Sequence, residues 1–141
     1  MKQVYLSYHD IHTDCIELAK IIKKKFKPEK LILISRGGLI PGSIIANYLG
    51  IQDIDVIAMK TYSNRKRTNK IEIFKRIKSQ KKLVVIDDLV DSGETAKIVK
   101  SMMPNSKFVS LYAQTPGKKQ ADLHLYDFKD SDWLVFPWEQ D

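Results

Sequence analysis

Continuous apolar runs alternate with segments of helical periodicity along most of the chain. The segments LILIS (31–35) and KLVVIDD (82–88) each contain four consecutive apolar residues, which is typical of strands buried on both faces of a sheet. Further strands are predicted over 4–7, 54–62 and 107–113, and the weak alternation over 71–77 predicts a strand or a hairpin arm. Two extended segments, LHLYDF and WLVFPW, lie near the C-terminus. Helices are predicted over about 11–26, 41–49 and 95–103, with Asp10 capping the first, Pro28 following its end and Gly50 ending the second.

Strands that alternate with helices predict an α/β fold with a doubly wound, mainly parallel sheet, formed by one domain over residues 1–141. Ligands of such sheets bind beyond the carboxyl ends of the strands. Two polar loops that contain glycine, SRGG (35–38) and DDLVDSGET (87–95), follow buried strands and are therefore expected at that edge. This edge of the sheet is the first candidate for a functional site.

Composition and charge exclude several other classes of protein. The 141 residues are 43% hydrophobic and 29% charged, and the one cysteine, Cys15, cannot form an intrachain disulfide. No apolar run approaches the length of a membrane span and the N-terminus lacks a signal peptide, so we expect a cytoplasmic protein without stable membrane insertion. The net charge of +7 is attributed to a solvated surface that also suits a polyphosphate ligand, with no nucleic-acid partner.

The segment VVIDDLVDSGET (84–95) has the clearest chemical signature. Asp87 and Asp88 end the predicted strand, and two adjacent carboxylates repel each other unless cations or hydroxyl groups meet them. The loop over 91–95 contains Gly93 and opens a helix, where backbone N–H groups and the helix dipole attract a phosphate. An acidic pair beside a phosphate cradle suits a sugar phosphate. A simpler interpretation is that an Asp or Ser side chain of this loop only caps the helix.

The whole segment resembles the motif with which type I phosphoribosyltransferases bind phosphoribosyl pyrophosphate (PRPP). That motif joins a hydrophobic strand, two acidic residues and a Ser/Thr-Gly-x-Thr loop. The resemblance implies the Rossmann-like sheet of that family, with a small hood formed by the terminal segments. It also implies that Asp87 and Asp88 hold the ribose hydroxyls, directly or through Mg²⁺ and water. The 5′-phosphate would be held by Asp91, Ser92, Gly93, Glu94 and Thr95.

The segment Ser35-Arg36-Gly37-Gly38 is similar to the pyrophosphate loop of the same family. The resemblance implies that Arg36 and close backbone N–H groups, including that of Gly37, grip the leaving pyrophosphate. Glycine permits this approach because it has no Cβ atom. A non-proline cis peptide is also implied in this loop, with the Arg36–Gly37 bond as the candidate. The hood loop of the family corresponds to residues 62–75, in which pyrophosphate would be contacted by Arg65, Lys66 and Arg67.

The C-terminal segment WLVFPWE (133–139) is similar to the W-[IL]-x-x-P-W-[DE] segment of xanthine-guanine phosphoribosyltransferases. There the first Trp stacks on the purine, so Trp133 would stack on the base with Leu134 beside it. Asp91 agrees with this assignment, because the 6-oxopurine enzymes have Asp at this position and the carboxylate can accept the N7 proton of the base. Trp138 is expected to be structural.

One position departs from the family pattern. The 6-oxopurine enzymes place a Lys just after the SLYA-type strand to bond the purine O6, where this sequence has Gln114, or Thr115 if the loop is shifted by one. A Gln amide can donate to O6 without charge, and Lys118 or Lys119 are alternative donors. The enzyme class is unaffected, and the preferred base stays open.

These resemblances imply a Mg²⁺-dependent purine salvage enzyme. It would transfer ribose-5-phosphate from PRPP to guanine, xanthine or hypoxanthine and release pyrophosphate. Two alternatives stay open: a PRPP- or nucleotide-sensing regulator with the same fold, and a transferase for adenine or orotate. Because relatives in the family are dimers or tetramers, a homodimer or homotetramer is expected.

Overall fold

The computed structural model describes residues 2–62, 70–73 and 82–139, of which 60–62 and 70–73 are described by their backbone alone. Strands and helices alternate along most of this length, as the apolar pattern predicts. The elements are β1 (Lys2–Tyr5), α1 (Tyr8–Lys25), β2 (Lys30–Ser35), α2 (Leu39–Leu49), β3 (Ile54–Tyr62), β4 (Lys70–Ile73), β5 (Leu83–Val90), α3 (Glu94–Met102), β6 (Lys107–Gln114), a 3-10 turn (Lys118–Gln120), β7 (Leu123–Phe128) and β8 (Asp132–Val135).

The main sheet has the strand order β4-β3-β2-β5-β6-β7. Every neighbouring pair in it is parallel except β3 and β4, which are antiparallel. The terminal strands β1 and β8 form a separate parallel pair, in which Gln3 lies beside Trp133. This arrangement confirms the predicted doubly wound, mainly parallel sheet with a small unit built from the terminal segments.

Two apolar cores lie on opposite faces of the main sheet. Leu31 and Leu33 of β2 pack with α1 and α2, whereas the alternating Ile32 and Ile34 pack with α3. A strand that is covered on both faces is apolar at successive positions, which explains the continuous apolar run over 31–34. Among the described helices, none has the length and hydropathy that crossing a membrane requires.

Helix α1 begins three residues earlier than predicted, and Asp10 is not its N-cap. Ser7 is the N-cap residue: its hydroxyl accepts from the Asp10 backbone N–H (3.0 Å), and the Asp10 carboxylate accepts from the Ser7 N–H (2.9 Å). This reciprocal capping box satisfies two backbone donors. Helix α2 begins at Leu39 rather than at residue 41, so Pro41 lies in its first turn, where proline is tolerated. The helix ends before Gly50 (φ 70°), as predicted.

Strand β5 extends beyond the acidic pair, which was expected at its end. Pairing with β2 stops at Leu33 and Ile86, whereas pairing with β6 continues to Val90 and Ala113. The chain after β2 turns away into the SRGG loop. Asp87 and Asp88 therefore lie where β5 has a backbone partner on one side and a loop on the other.

Candidate functional site

The acidic pair is held in place by its own backbone. Asp87 is 7% exposed, and its Oδ1 atom accepts from the Asp88 N–H at 2.9 Å. Oδ1 of Asp88 accepts from the Leu89 N–H at 2.7 Å. Each carboxylate is thus oriented by the backbone N–H of the residue that follows it. Among the described residues, no basic side chain donates a hydrogen bond to either carboxylate.

Burial raises the pKa of both carboxyl groups. The pKa of Asp87 lies well above the ordinary value of 3.8, first because the group is buried and then because of the charge of Asp88. Burial raises the pKa of Asp88 to about 6, and the charge of Glu139 adds to the increase. A cation beside the pair would favour both ionised forms. Glu139 was not among the predicted site residues, although it ends the WLVFPWE motif.

Without Mg²⁺ or PRPP, the free energy of unfolding should fall as the pH rises from about 4 to about 6. These two limits are the pKa values of Asp88 in the unfolded chain (about 4) and in the folded chain (about 6). An acid with a raised folded pKa binds its proton more tightly when folded, so the native state loses that advantage over this interval. Asp87 should extend the decrease to higher pH. Asp88→Asn should reduce the slope between pH 4 and 6, which urea unfolding across that range measures. An unchanged slope in the variant would contradict the assignment to Asp88.

The SRGG loop lies directly against the acidic pair at Gly37. A Cβ atom on Gly37 would be 2.3 Å from Oδ2 of Asp88, so only glycine leaves room for that carboxylate. Gly38 is equally confined, because its Cβ atom would lie 2.3 Å from the Ile86 carbonyl oxygen. The cis peptide bond of this loop is Ser35–Arg36, one residue before the predicted candidate. Arg36 itself is exposed.

The loop over residues 91–95, which we call the phosphate-type loop, is open at the start of α3. Gly93 occupies the N-cap position with φ 86°, and no side chain caps the helix. Ser92 Oγ accepts only a long hydrogen bond of 3.4 Å from the Glu94 N–H. The structure therefore does not support the simpler interpretation that Asp91 or Ser92 is the cap. The first N–H groups of α3 keep the positive end of the helix dipole available to an anion.

Gly117 packs against the backbone of this loop. It was not predicted as a site residue. A Cβ atom on Gly117 would lie 2.4 Å from both the Asp91 carbonyl oxygen and the Gly93 backbone nitrogen. Gln120, at the end of the 3-10 turn, closes over the position where Gly93 has no side chain. The only sequence signal is the glycine of TPGKK, which reads as an ordinary turn.

The predicted base-binding segment combines an exposed and a buried side chain. Trp133 is 59% exposed on β8, whereas the next residue, Leu134, is buried in the core. Phe136 stacks between Tyr112 and Trp138, with ring centroids 6.1 Å and 4.8 Å away. This partly buried stack agrees with the structural role expected of Trp138, and it leaves the Trp133 ring accessible.

The other predicted contacts with the base and pyrophosphate are placed differently or lie outside the described residues. Gln114 is buried, and its amide nitrogen donates to the backbone oxygens of Lys129 and Asp132. Lys118 forms an ion pair with Asp127 at 2.8 Å. The bond from Gln114 to O6 stays a prediction, and its contacts favour a supporting role. The hood-loop residues Arg65, Lys66 and Arg67 are outside the described ranges, so their contact with pyrophosphate also stays a prediction.

The chain is similar to known proteins in both sequence and structure. A family model described as a phosphoribosyl transferase domain matches residues 5–139. The xanthine-guanine phosphoribosyltransferase of Desulfotalea psychrophila is 33% identical, over 98% of this chain and 88% of the relative. The solved purine phosphoribosyltransferase of Pyrococcus horikoshii Ot3 is 28% identical with a TM-score of 0.85, over 100% of this chain and 97% of that one. The solved xanthine-guanine-hypoxanthine phosphoribosyltransferase of Helicobacter pylori is 29% identical with a TM-score of 0.78, over 97% of this chain and 94% of that one.

The family match covers both glycine-containing loops, the acidic pair and the exposed tryptophan. These are the same features that the structure gathers along the carboxyl edge of β2 and β5 and on the terminal strand β8. The chain belongs to the phosphoribosyltransferase family.

Proposed function

We propose that the protein is a 6-oxopurine phosphoribosyltransferase, which transfers ribose-5-phosphate from PRPP to guanine, xanthine or hypoxanthine and releases pyrophosphate. The observation that carries the proposal is the contact between Gly37 and Asp88, which places the SRGG loop after β2 directly beside the acidic pair of β5. PRPP requires this arrangement, because its pyrophosphate and its 2′-hydroxyl are attached to adjacent carbon atoms. The xanthine-guanine phosphoribosyltransferases among the relatives support the choice of base.

The residues fit a Mg²⁺ ion that is shared with the substrate. Asp87 and Asp88 supply carboxylate oxygens whose raised pKa values a cation would lower. Within the described part of the chain, no three His, Cys, Asp or Glu side chains form a closed metal site. Mg²⁺ commonly binds through one or two carboxylates together with substrate phosphates and water. When bound, it would supply positive charge that favours the departure of pyrophosphate.

The two loops would bind the two ends of PRPP. Backbone N–H groups at the start of α3, with the hydroxyls of Ser92 and Thr95, would hold the 5′-phosphate. The Arg36 guanidinium would donate to pyrophosphate oxygens and stabilise the negative charge that develops on them. As the bond from C1′ to pyrophosphate breaks, its electron pair leaves with the pyrophosphate, and N9 of the base forms the new bond to C1′.

Asp91 would accept the proton that the base must lose. As N9 bonds to C1′, the purine acquires positive charge unless N7 releases its proton, and a carboxylate beside N7 can take it. The exposed Trp133 ring would stack on the base, and such stacking is worth roughly 1–3 kcal/mol. The backbone at Leu134 would bind the substituent at C2 of the purine.

A panel of free bases tests the proposal. With PRPP and Mg²⁺, pyrophosphate release should be fastest in kcat/KM for guanine, xanthine or hypoxanthine, and adenine should be at least about tenfold poorer. The expectation rests on the xanthine-guanine phosphoribosyltransferases among the relatives and, for guanine and xanthine, on the C2 substituent that the backbone at Leu134 would bind.

Orotate and a reaction without any base are the controls of this panel. Preference for adenine or orotate over all three oxopurines would contradict the choice of base. Binding of PRPP without pyrophosphate release for any base would instead favour a sensing role for the fold.

A further inference from the structure

The side-chain amide of Gln114 is buried against backbone and is fully used as a donor. Its nitrogen lies 2.9 Å from the carbonyl oxygen of Lys129 and 2.8 Å from that of Asp132. The residue is only 5% exposed. Both partners are carbonyl oxygens, which can only accept, so the nitrogen end of the amide must face them. Each hydrogen atom of the NH₂ group therefore already has an acceptor.

The two oxygens belong to the turn that leads directly into β8. The Asp132 N–H donates to the Lys129 carbonyl oxygen at 2.9 Å and closes this turn. A third bond from the end of β6 reaches the same turn, because the Thr115 N–H donates to Oδ1 of Asp130 at 2.8 Å. The Gln114 side chain and the Thr115 backbone thus fix residues 129–132 by hydrogen bonds, and the next residue along the chain is Trp133.

The remaining polar atom of Gln114 has the wrong polarity for an oxopurine carbonyl. Once the NH₂ group is engaged, Oε1 is left, and an amide oxygen can only accept hydrogen bonds. The purine O6 is also an acceptor, so the two atoms cannot be bonded in this arrangement.

We infer that Gln114 is a positioning residue, which fixes the turn before Trp133 and so orients the ring that stacks on the base, and that it does not donate to O6. This inference rests on the proposed function for its effect on base binding. The same stretch of chain also supports the phosphate-type loop: the Gly117 N–H donates to the Gln114 carbonyl oxygen at 3.2 Å, and Gly117 packs under residues 91–93.

Two substitutions separate positioning from direct recognition, because they differ in the number of donors. Gln114→Met keeps the length of the side chain and removes both donors, whereas Gln114→Lys keeps donors for both carbonyl oxygens. Gln114→Met should raise the KM for every purine by about tenfold and leave the KM for PRPP within about twofold. Gln114→Lys should retain activity, with the oxopurine-to-adenine ratio of kcat/KM unchanged. Gln52→Met, at an exposed loop position, is the matched control.

A second measurement does not depend on activity. Hydrogen exchange of the backbone amides over 129–133 should be faster in Gln114→Met than in the wild type, and close to wild type in Gln114→Lys and Gln52→Met. Faster exchange in a protein that turns over no base would support the positioning role while refuting the proposed function.

Two results would overturn the inference. One is unchanged exchange over 129–133 in a Gln114→Met variant that folds normally. The other is a Gln114→Lys variant in which the preference for oxopurines over adenine rises by about tenfold or more, because the side chain would then address position 6 of the base directly.

Discussion

Asp91→Asn is expected to lower the rate of the chemical step by about 10²–10⁴-fold, while the KM for PRPP stays within about twofold. Asparagine has the size of aspartate but cannot accept the N7 proton, so positive charge would remain on the purine as N9 attacks. The backbone of the loop should be unaffected, because the side chain of Asp91 is exposed and does not cap α3. The loss should therefore appear in catalysis and not in folding.

Single-turnover kinetics with excess enzyme is the appropriate measurement, because product release limits kcat in many enzymes and would hide the effect. Glu17→Gln, which removes an exposed carboxylate on helix α1, outside the predicted site residues, is the control and should leave the rate unchanged. An Asp91→Asn variant that retains the wild-type single-turnover rate would show that another group accepts the proton.

Gly37→Ala is expected to lower kcat/KM for PRPP by at least about a hundredfold, or roughly 2.7 kcal/mol. The new methyl carbon would lie 2.3 Å from Oδ2, 2.5 Å from Cγ and 2.6 Å from Oδ1 of Asp88, so the whole carboxyl group would have to move. The Asp88 side chain can rotate away about its Cα–Cβ bond without a shift of the strand backbone. The substitution should therefore displace a ligand of PRPP or its metal without unfolding the protein.

Two other glycines provide the comparison for Gly37→Ala. Gly50→Asn should be silent, because nothing lies within 4 Å of the new Cβ atom and asparagine tolerates the positive φ of 70°. Gly38→Ala should instead lower the thermal stability, since its Cβ atom would collide with the backbone oxygens of Ile86 and Ile34. Normal kcat/KM for PRPP in Gly37→Ala would contradict the assignment of Asp88 to the PRPP site.

The centre of the sheet could be predicted from the sequence because its strands are covered on both faces. The runs over 31–35 and 82–88 correspond closely to β2 (Lys30–Ser35) and β5 (Leu83–Val90), whose buried positions are continuous. The edge at which the two loops meet also follows, since parallel strands present their carboxyl ends on the same side. The sequence therefore predicts that the acidic pair and the SRGG loop lie at one edge of the sheet, whereas their contact at Gly37 appears only in the structure.

Contacts between loops could not be predicted in the same way. Gly117 supports the phosphate-type loop and Gln114 holds the turn before Trp133, and both do so through polar or backbone contacts on which hydrophobic periodicity gives no information. The residues that they contact lie far away in the sequence: Gln114 and Lys129, for example, are 15 residues apart. A resemblance at one position assigns a role by analogy, whereas the direction of a side-chain amide depends on which acceptors the fold brings near it.

Coupled formation of nucleotide and pyrophosphate tests the central claim most directly. PRPP incubated with guanine, xanthine or hypoxanthine and Mg²⁺ should give the nucleoside 5′-monophosphate and pyrophosphate in equal amounts, followed together by chromatography. The reaction should stop when the base is omitted or when excess chelator removes the metal. Equal amounts of the two products that depend on both base and Mg²⁺ are the result that we predict, and PRPP that is bound but never converted with any of the three bases would contradict it.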